Sequence, residues 1–253
     1  MDVGTVIFLI IVGLVGGAWN AVAGGATLFT FPALMAAGLP PVVANATNYL
    51  AMLPSNAAAI PAYMSELRDV GGRVWALLII SGAGAIVGSL LLIASEQALF
   101  EFLIPFLILL ATALFAFGSE IGRLLRAKLA GRASVGALYG ALFLFSIYGG
   151  YFGAGLGIIL LAVVQVMGFT SFHVANSLKN LLATSFTVLS IIVFGVGGII
   201  AWPEALVMMV GSTLGGYLGA RYARQINERY LRTAVIVFGV VLSAVYFARL
   251  SIV

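Results

Sequence analysis

The chain has 253 residues, of which 63% are hydrophobic and 8% are charged, and its mean hydropathy is +1.19. A chain this apolar cannot cover a water-soluble globule with polar surface, which predicts an integral membrane protein. Loop arginines account for the formal net charge of +4, so no nucleic-acid surface is expected, and the absence of cysteine excludes disulfides and thiolate chemistry.

Eight apolar stretches follow one another along the chain, at residues 3–38, 42–63, 74–94, 97–117, 134–167, 174–201, 204–220 and 230–250. Most have roughly the 20 residues that a helix needs to cross a bilayer. The stretches 3–38 and 134–167 are too long for one helix, and glycines interrupt both of them. Each of these two is therefore predicted to fold in two pieces, as a broken helix or a re-entrant hairpin.

An internal repeat relates the two halves of the chain at an offset of about 131 residues. Ala44-Asn45 matches Ala175-Asn176, and Asn48 matches Lys179. The order of these features predicts a first repeat half at 1–120 and a second at 134–253. A basic linker at 121–133, expected in the cytoplasm, would join them.

Charge in the loops predicts how the halves are oriented. Basic residues cluster in three places, at 68–73, 123–132 and 221–232, which are expected to be cytoplasmic. Residues 95–100 and 224–231 are equivalent in the repeat but carry opposite charge. They are therefore expected on opposite sides of the membrane, which requires each half to cross it an odd number of times. The prediction is an all-α polytopic membrane protein with two inverted-topology halves, glycine-broken helices meeting near the midplane, and both termini outside. Eight simple spans in a parallel repeat are the alternative.

Asn176 and Lys179 are the first candidates for a functional site. They lie three residues apart, on one helical face, in a stretch that is otherwise apolar or small. A charge at membrane depth is costly and usually faces a cavity. Asn45 and Asn48 have the same spacing in the first half, so the repeat is expected to bring the two faces together.

The glycine-rich breaks have the properties of an anion site. A helix that starts inside a membrane offers unpaired N–H groups and the positive end of its dipole. Lys179 would neutralise the charge of an anion, and asparagine amides would orient its oxygens. The predicted substrate-binding residues are Gly24, Gly25, Asn45, Asn48, Gly153, Gly155, Gly157, Asn176, Lys179 and Asn180.

Several of these residues also have a structural interpretation. Lys179 lies close to a predicted helix start and could extend to the membrane interface. Asn45 and Asn48 equally fit hydrogen bonding between helices, and Asn20 and Asn56 are expected to be structural. Four glycines in G-x-x-x-G spacing are expected to pack helices together, namely Gly84, Gly88, Gly215 and Gly219.

Nothing in the sequence indicates an enzyme. H-E-x-x-H and G-x-S-x-G are absent, and a single histidine excludes a multi-histidine metal site. No G-x-x-x-x-G-K-[ST] motif exists, so the chain is not expected to hydrolyse nucleotide. A secondary carrier that holds a small anion near the midplane, an anion channel and a non-transporting assembly subunit remain as hypotheses.

The chain resembles the sulfite exporter TauE/SafE family of membrane permeases over nearly its whole length. The segments that carry the resemblance are Ala23-Gly24-Gly25-Ala26 with Phe31-Pro32, Ala44-Asn45-Ala46-Thr47-Asn48, Gly153-Ala154-Gly155-Leu156-Gly157 and Ala175-Asn176-Ser177-Leu178-Lys179. The resemblance implies a multi-pass protein of a bacterial plasma membrane that transports small sulfur-containing anions, such as sulfite or organosulfonates. No cofactor is expected, and the sequence leaves open whether the chain forms a homo-oligomer.

Overall fold

The computed structural model describes residues 1–22, 25–57, 70–129, 134–169, 171–222 and 228–250. This part of the chain is helical and contains no strand. Its helices are α1 Val3–Val22, α2 Thr27–Ala36, α3 Pro41–Ala57, α4 Arg73–Ala94, α5 Gln97–Leu129, α6 Val135–Tyr151, α7 Leu156–Val166, α8 Phe172–Val196, α9 Trp202–Tyr222 and α10 Glu228–Leu250. The predicted all-α class is confirmed.

The helix surfaces suit hydrocarbon rather than water. Within the described ranges, α1, α4, α5 and α8 are long and apolar enough to cross a membrane. Large apolar side chains such as Ile11, Ile79 and Leu206 stay exposed on the outside of the helices. Because lipid tails can cover such a surface and water cannot, these helices identify a multi-pass membrane protein.

Both long apolar stretches are broken where the sequence predicted. The stretch 3–38 folds as α1 and α2, and 134–167 folds as α6 and α7. Gly25 at the first break has φ +77°, and Gly153 and Gly155 at the second both have φ +75°. Residues with a Cβ rarely adopt this left-handed conformation, so glycine makes the two sharp breaks possible. The residues predicted as a linker, 121–133, continue α5 as far as Leu129.

Small residues bring helices of opposite halves into close contact. Three glycines of α9 face the α1 backbone in register, in the pairs Gly211–Ile10, Gly215–Leu14 and Gly219–Ala18. Gly84 and Gly88 of α4 face the carbonyls of Phe143 and Ile147 of α6 in the same way. A side chain at any of these glycines would overlap the facing backbone, which confirms the packing role predicted for Gly84, Gly88, Gly215 and Gly219 and adds Gly211. In each of these two helix–helix contacts, the residue numbers of the facing residues rise together along both helices. α1 is therefore parallel to α9, and α4 is parallel to α6.

Contacts of α3 give the relative direction of α1 and α6, the first helices of the two halves. α3 runs parallel to α1, because Met52 lies beside Gly16 and Ser55 beside Asn20. α3 runs antiparallel to α6, as two hydrogen-bonded pairs show, Asn45 with Tyr151 and Tyr49 with Gly149. The equivalent helices α1 and α6 therefore point in opposite directions.

The last helices of the two halves are also antiparallel. Ser243 of α10 donates to the Pro105 carbonyl of α5, and Gly239 lies against Thr112. The halves of the fold are thus inverted relative to each other, as the sequence predicted, and the parallel eight-span alternative is wrong.

Charge separates the two ends of the helix bundle. Tyr151, at the end of α6, contacts both Ser95 after α4 and Phe100 at the start of α5. This end also has acidic residues, namely Asp2, Glu96, Glu101 and Glu204, together with Arg249 in the last turn of α10, and we call it the acidic end. The opposite end, which we call the basic end, has Arg73, Arg123, Lys128 and Arg221, together with Glu120. α1 begins and α10 finishes at the acidic end, and the location of this end outside the cell stays a prediction.

Candidate functional site

A cavity of about 570 Å³ lies between the two halves. Both helix breaks reach it, through Gly25 in the first half and Gly153, Gly155 and Gly157 in the second. The polar faces of α3 and α8 form most of the remaining hydrophilic wall, and Asn20 of α1 and Thr27 of α2 add to it. The inverted repeat therefore brings most of the predicted site residues into one space.

The break between α6 and α7 presents a helix N-terminus to the cavity. Gly155 is the N-cap of α7 and has no side chain that could cap the first turn, where Leu156 N–H donates a long 3.4 Å hydrogen bond to the Gly153 carbonyl. The first N–H groups of a helix have no acceptor within it, and they carry the positive end of its dipole. The start of α7 therefore offers hydrogen-bond donors to an anion in the cavity.

Lys179 stands beside this helix start. A Cβ built on Gly157 would lie 3.8 Å from Cδ of Lys179, so the lysine stem runs next to the first turn of α7. Lys179 is the one charged residue among the described residues of the cavity wall. It forms no hydrogen bond or ion pair in the part of the chain that is described, so its ammonium group is available to a ligand.

Asn176 and Asn180 share this face of α8. Both line the cavity, and neither side-chain amide forms a hydrogen bond within the described ranges. Lys179 and Asn180 lie three and four residues after Asn176, a spacing that puts all three side chains on one helical face. The α8 face thus combines one cation with two unpaired amides.

The equivalent face of α3 is already occupied by protein contacts. Asn48 lines the cavity with only 2% of its surface exposed. Its Oδ1 accepts a 2.6 Å hydrogen bond from Thr30 Oγ1, and its Nδ2 donates to Thr27 Oγ1 at 3.3 Å. Asn48 therefore joins α3 to α2.

Asn45 is not among the residues that form the cavity wall. It is fully buried, and its Nδ2 donates a 2.8 Å hydrogen bond to the carbonyl of Tyr151, the last residue of α6. This contact is the interhelical hydrogen bond that was the alternative interpretation of Asn45. The side chain holds the end of α6 in place.

Gly25 and Gly24 complete the predicted set. Gly25 lines the cavity, and a Cβ there would overlap the ring of Phe115, so only glycine fits. Gly24 lies outside the described residues.

Sequence reasoning missed part of the cavity wall. Asn20, Ser55 and Asn56 line the cavity as well, although Asn20 and Asn56 were expected to be structural. Nδ2 of Asn20 donates to Ser55 Oγ at 3.0 Å and to Asn56 Oδ1 at 2.8 Å. Extending the helical face of Asn48 by seven and eight residues reaches Ser55 and Asn56, so the α3 periodicity was the signal that pointed to them.

The composition of the wall favours a negatively charged ligand. Among the described lining residues there is one ammonium group and no carboxylate, together with several amides and hydroxyls. Aromatic and aliphatic side chains supply the remaining surface, including Phe115, Phe152 and Leu161. Such a cavity can hold a small anion and also contact an organic substituent on it.

Comparison with known proteins identifies the family. The sequence model of the sulfite exporter TauE/SafE family matches residues 9–246, and the chain belongs to this family. A probable membrane transporter protein of Haemophilus influenzae is 34% identical over 96% of both chains. The probable membrane transporter protein YfcA of Escherichia coli K12 is 29% identical, over 93% of this chain and 87% of its own. No solved structure matches the chain. The protein is therefore a membrane transporter.

Proposed function

We propose that the protein is a secondary carrier of small sulfur-containing anions, such as sulfite or organosulfonates. The observation that carries the proposal is the unpaired ammonium of Lys179, which lies beside the uncapped start of α7 in a cavity whose described wall has no acid. A cation at membrane depth without a protein partner is costly, and an anionic solute offsets that cost by pairing with it.

The proposed anion site belongs mainly to the second half. Lys179 balances the charge of the anion, Asn176 and Asn180 donate to its oxygens, and Gly155 and Gly157 allow the α7 backbone to approach. Gly25 and Gly153 allow the left-handed backbone at the two helix breaks that border the cavity. Asn48 shapes the opposite wall, whereas Asn45 acts through α6 rather than through the anion.

The shape of the cavity favours a carrier over an anion channel. The cavity follows the last turns of α3 and the first turns of α8, which places it toward the basic end. Fully buried aromatic side chains fill the space toward the acidic end. A channel needs a continuous path through the protein, whereas a carrier is closed on one side at a time.

Transport by purified protein in liposomes tests the proposal. Uptake of sulfite, sulfoacetate, taurine, thiosulfate and sulfate is measured for the parent, for Lys179→Ala and for Lys128→Ala. Lys128 is the only other lysine in the chain and lies exposed on α5, so it is a matched control. We expect saturable flux of at least one sulfur anion that Lys179→Ala abolishes and Lys128→Ala leaves intact. Parental flux by folded Lys179→Ala would remove this residue from the site.

A further inference from the structure

Aromatic side chains close the cavity toward the acidic end. The ring of Phe152, which lines the cavity, packs edge-on against Phe31 at a centroid distance of 5.6 Å. Phe31 packs against Phe100 at 6.3 Å, and Phe100 against Tyr151 at 5.7 Å. The hydroxyl of Tyr151 lies 3.1 Å from Oγ of Ser95, the residue that follows α4 at the acidic end. We call Phe31, Phe100, Tyr151 and Phe152 the aromatic plug.

The plug is packed tightly enough to exclude solutes. Phe31, Phe100 and Phe152 are among the largest side chains that are fully buried in the described part of the protein. Their edge-to-face contacts are the geometry that aromatic rings prefer. An anion in the cavity therefore has no path to the acidic end while these rings stay in place.

Two side chains of α3 hold the plug through the backbone of α6. Nδ2 of Asn45 donates to the carbonyl of Tyr151, and the hydroxyl of Tyr49 donates to the carbonyl of Gly149. These carbonyls belong to the last turn of α6, where a helix has no internal donors for them. Both hydrogen bonds thus fix the segment that carries Tyr151 and Phe152.

The segment that carries the plug can change direction. Gly153, directly after Phe152, and Gly155, two residues further on, both adopt the left-handed conformation that glycine enters freely. Oδ1 of Asn45 is buried and has no hydrogen-bond partner among the described residues. The bond from Nδ2 to the Tyr151 carbonyl is thus the one hydrogen bond of the Asn45 side chain among the described residues. It is the one bond that α6 must break to move away from Asn45.

The repeat does not duplicate the plug near the basic end. At the repeat offset, Phe31 corresponds to Ala162 and Phe100 to Leu231. The cavity wall that reaches toward the basic end is instead polar, with Asn20, Ser55 and Asn56. Among the described residues, bulky rings therefore close the path toward the acidic end, whereas polar side chains line it toward the basic end.

We propose that the aromatic plug is the gate at the acidic end, and that Asn45 and Tyr49 are positioning residues that keep it shut. The structure then represents the state that opens toward the basic end. Release of an anion at the acidic end requires α6 to leave the two donors of α3 and Phe152 to separate from Phe31. This inference extends the proposed carrier by naming the part that must move.

Accessibility of a single cysteine tests the gate without any substrate. The chain has no cysteine, so Ala183→Cys, on the cavity wall, gives one reactive thiol. A membrane-impermeant thiol reagent is applied to intact cells and to inverted membrane vesicles, which expose opposite sides. In the Ala183→Cys protein we expect fast reaction only from the side of the basic end. Adding Phe31→Ala or Phe152→Ala should raise the rate from the acidic side roughly tenfold or more, because the closed state loses its packing.

A matched control separates gating from general damage. Phe29 lies two residues before Phe31 in α2, but it packs against Trp19 and Phe238 instead of the plug. Phe29→Ala should leave the acidic-side rate unchanged. If the phenylalanine variants do not fold, Tyr49→Phe removes only the hydroxyl and should still raise that rate.

Two results would overturn the gate. One is equal reaction of Ala183→Cys from both sides in the protein with an intact plug. The other is an unchanged acidic-side rate in folded variants of Phe31, Phe152 and Tyr49. Because the labelling needs no substrate, it distinguishes failure of the gate from failure of anion transport.

Discussion

The faces of α3 and α8 that approach the cavity derive from the same repeated pattern but differ in their partners. In α3, Asn45 bonds to the end of α6, and Asn48 bonds to two threonines of the first half. In α8, the corresponding Asn176 and Lys179 have no partner within the described ranges. One copy of the pattern thus stabilises the fold, whereas the other leaves its polar groups free.

This difference shows how an inverted repeat produces an asymmetric site. The hydrogen bonds that Asn45 and Asn48 of α3 form with α6 and α2 fix the scaffold around the cavity before any solute enters. Unpaired groups of α8 are then held in place by that scaffold, ready to bind an anion. Substitutions of the asparagines on the α3 face should therefore affect mainly stability, and those on the α8 face should affect mainly binding.

The same substitution at equivalent positions should give the largest contrast. Asn45→Asp replaces the donor to the Tyr151 carbonyl with a buried carboxylate, which should destabilise the fold by about 3–5 kcal/mol. Asn176→Asp instead puts a negative charge into the cavity near Lys179, so it should abolish anion flux in a folded protein. Thermal unfolding and liposome uptake measure the two effects. Loss of folding in Asn176→Asp, with a stable Asn45→Asp, would reverse the assignment of the halves.

Asn48→Ala tests the structural role of the first half. The variant loses the hydrogen bonds to Thr27 and Thr30, which should cost roughly 1–3 kcal/mol of stability. Flux per folded molecule should change little, because Asn48 is already committed to these contacts. Denaturation in detergent measures the stability, and uptake normalised to folded protein measures the flux. Parental stability with lost flux would instead make Asn48 a substrate ligand.

Asn180→Ala is the corresponding truncation in the second half. Its amide has no hydrogen bond to lose in the described structure, so the unfolding midpoint should stay at the parental value. Loss of one donor to an anion should raise the half-saturating substrate concentration by about tenfold. Concentration dependence of uptake gives this number. A lowered midpoint would show that Asn180 supports the fold.

Gly157→Ala should have the smallest effect. The added methyl group would meet the Lys179 stem at 3.8 Å, which is an ordinary contact. Because alanine loses less backbone entropy than glycine when a helix forms, α7 should gain up to about 1 kcal/mol of stability. Affinity should fall less than about tenfold, since the α7 donors remain. Gly153→Ala is the contrasting variant, because its left-handed backbone and its closeness to Tyr49 predict a loss of stability. Unfolding midpoints of the two variants check this order.

The sequence predicted the fold well because its apolar stretches, internal glycines and loop charges all indicated the same arrangement of helices. Apolar stretches marked the helices, and internal glycines such as Gly25 and Gly155 marked the breaks. Inversion followed from the opposite charge of equivalent loops, and the directions of α1, α6, α5 and α10 confirm it. The extension of α5 to Leu129 was not predicted, because a basic helical turn beyond the bilayer resembles a loop in composition.

The sequence predicted the members of the cavity better than their roles. Lys179, Asn176 and Asn180 were found because polar groups stand out in an apolar helix. The pattern could not show that Asn45 bonds to Tyr151, a residue far away in sequence, because hydrogen-bond partners depend on packing between helices. Asn20 and Asn56 were missed for the same reason.

An experimental structure with bound selenite tests the asymmetric site most directly. Selenite resembles sulfite and scatters anomalously, so its position can be assigned without ambiguity. We predict one peak within hydrogen-bonding distance of Nζ of Lys179 and of the N–H groups at the start of α7. A peak beside Asn45 and Asn48, or an empty cavity in protein that transports selenite, would contradict the asymmetric site.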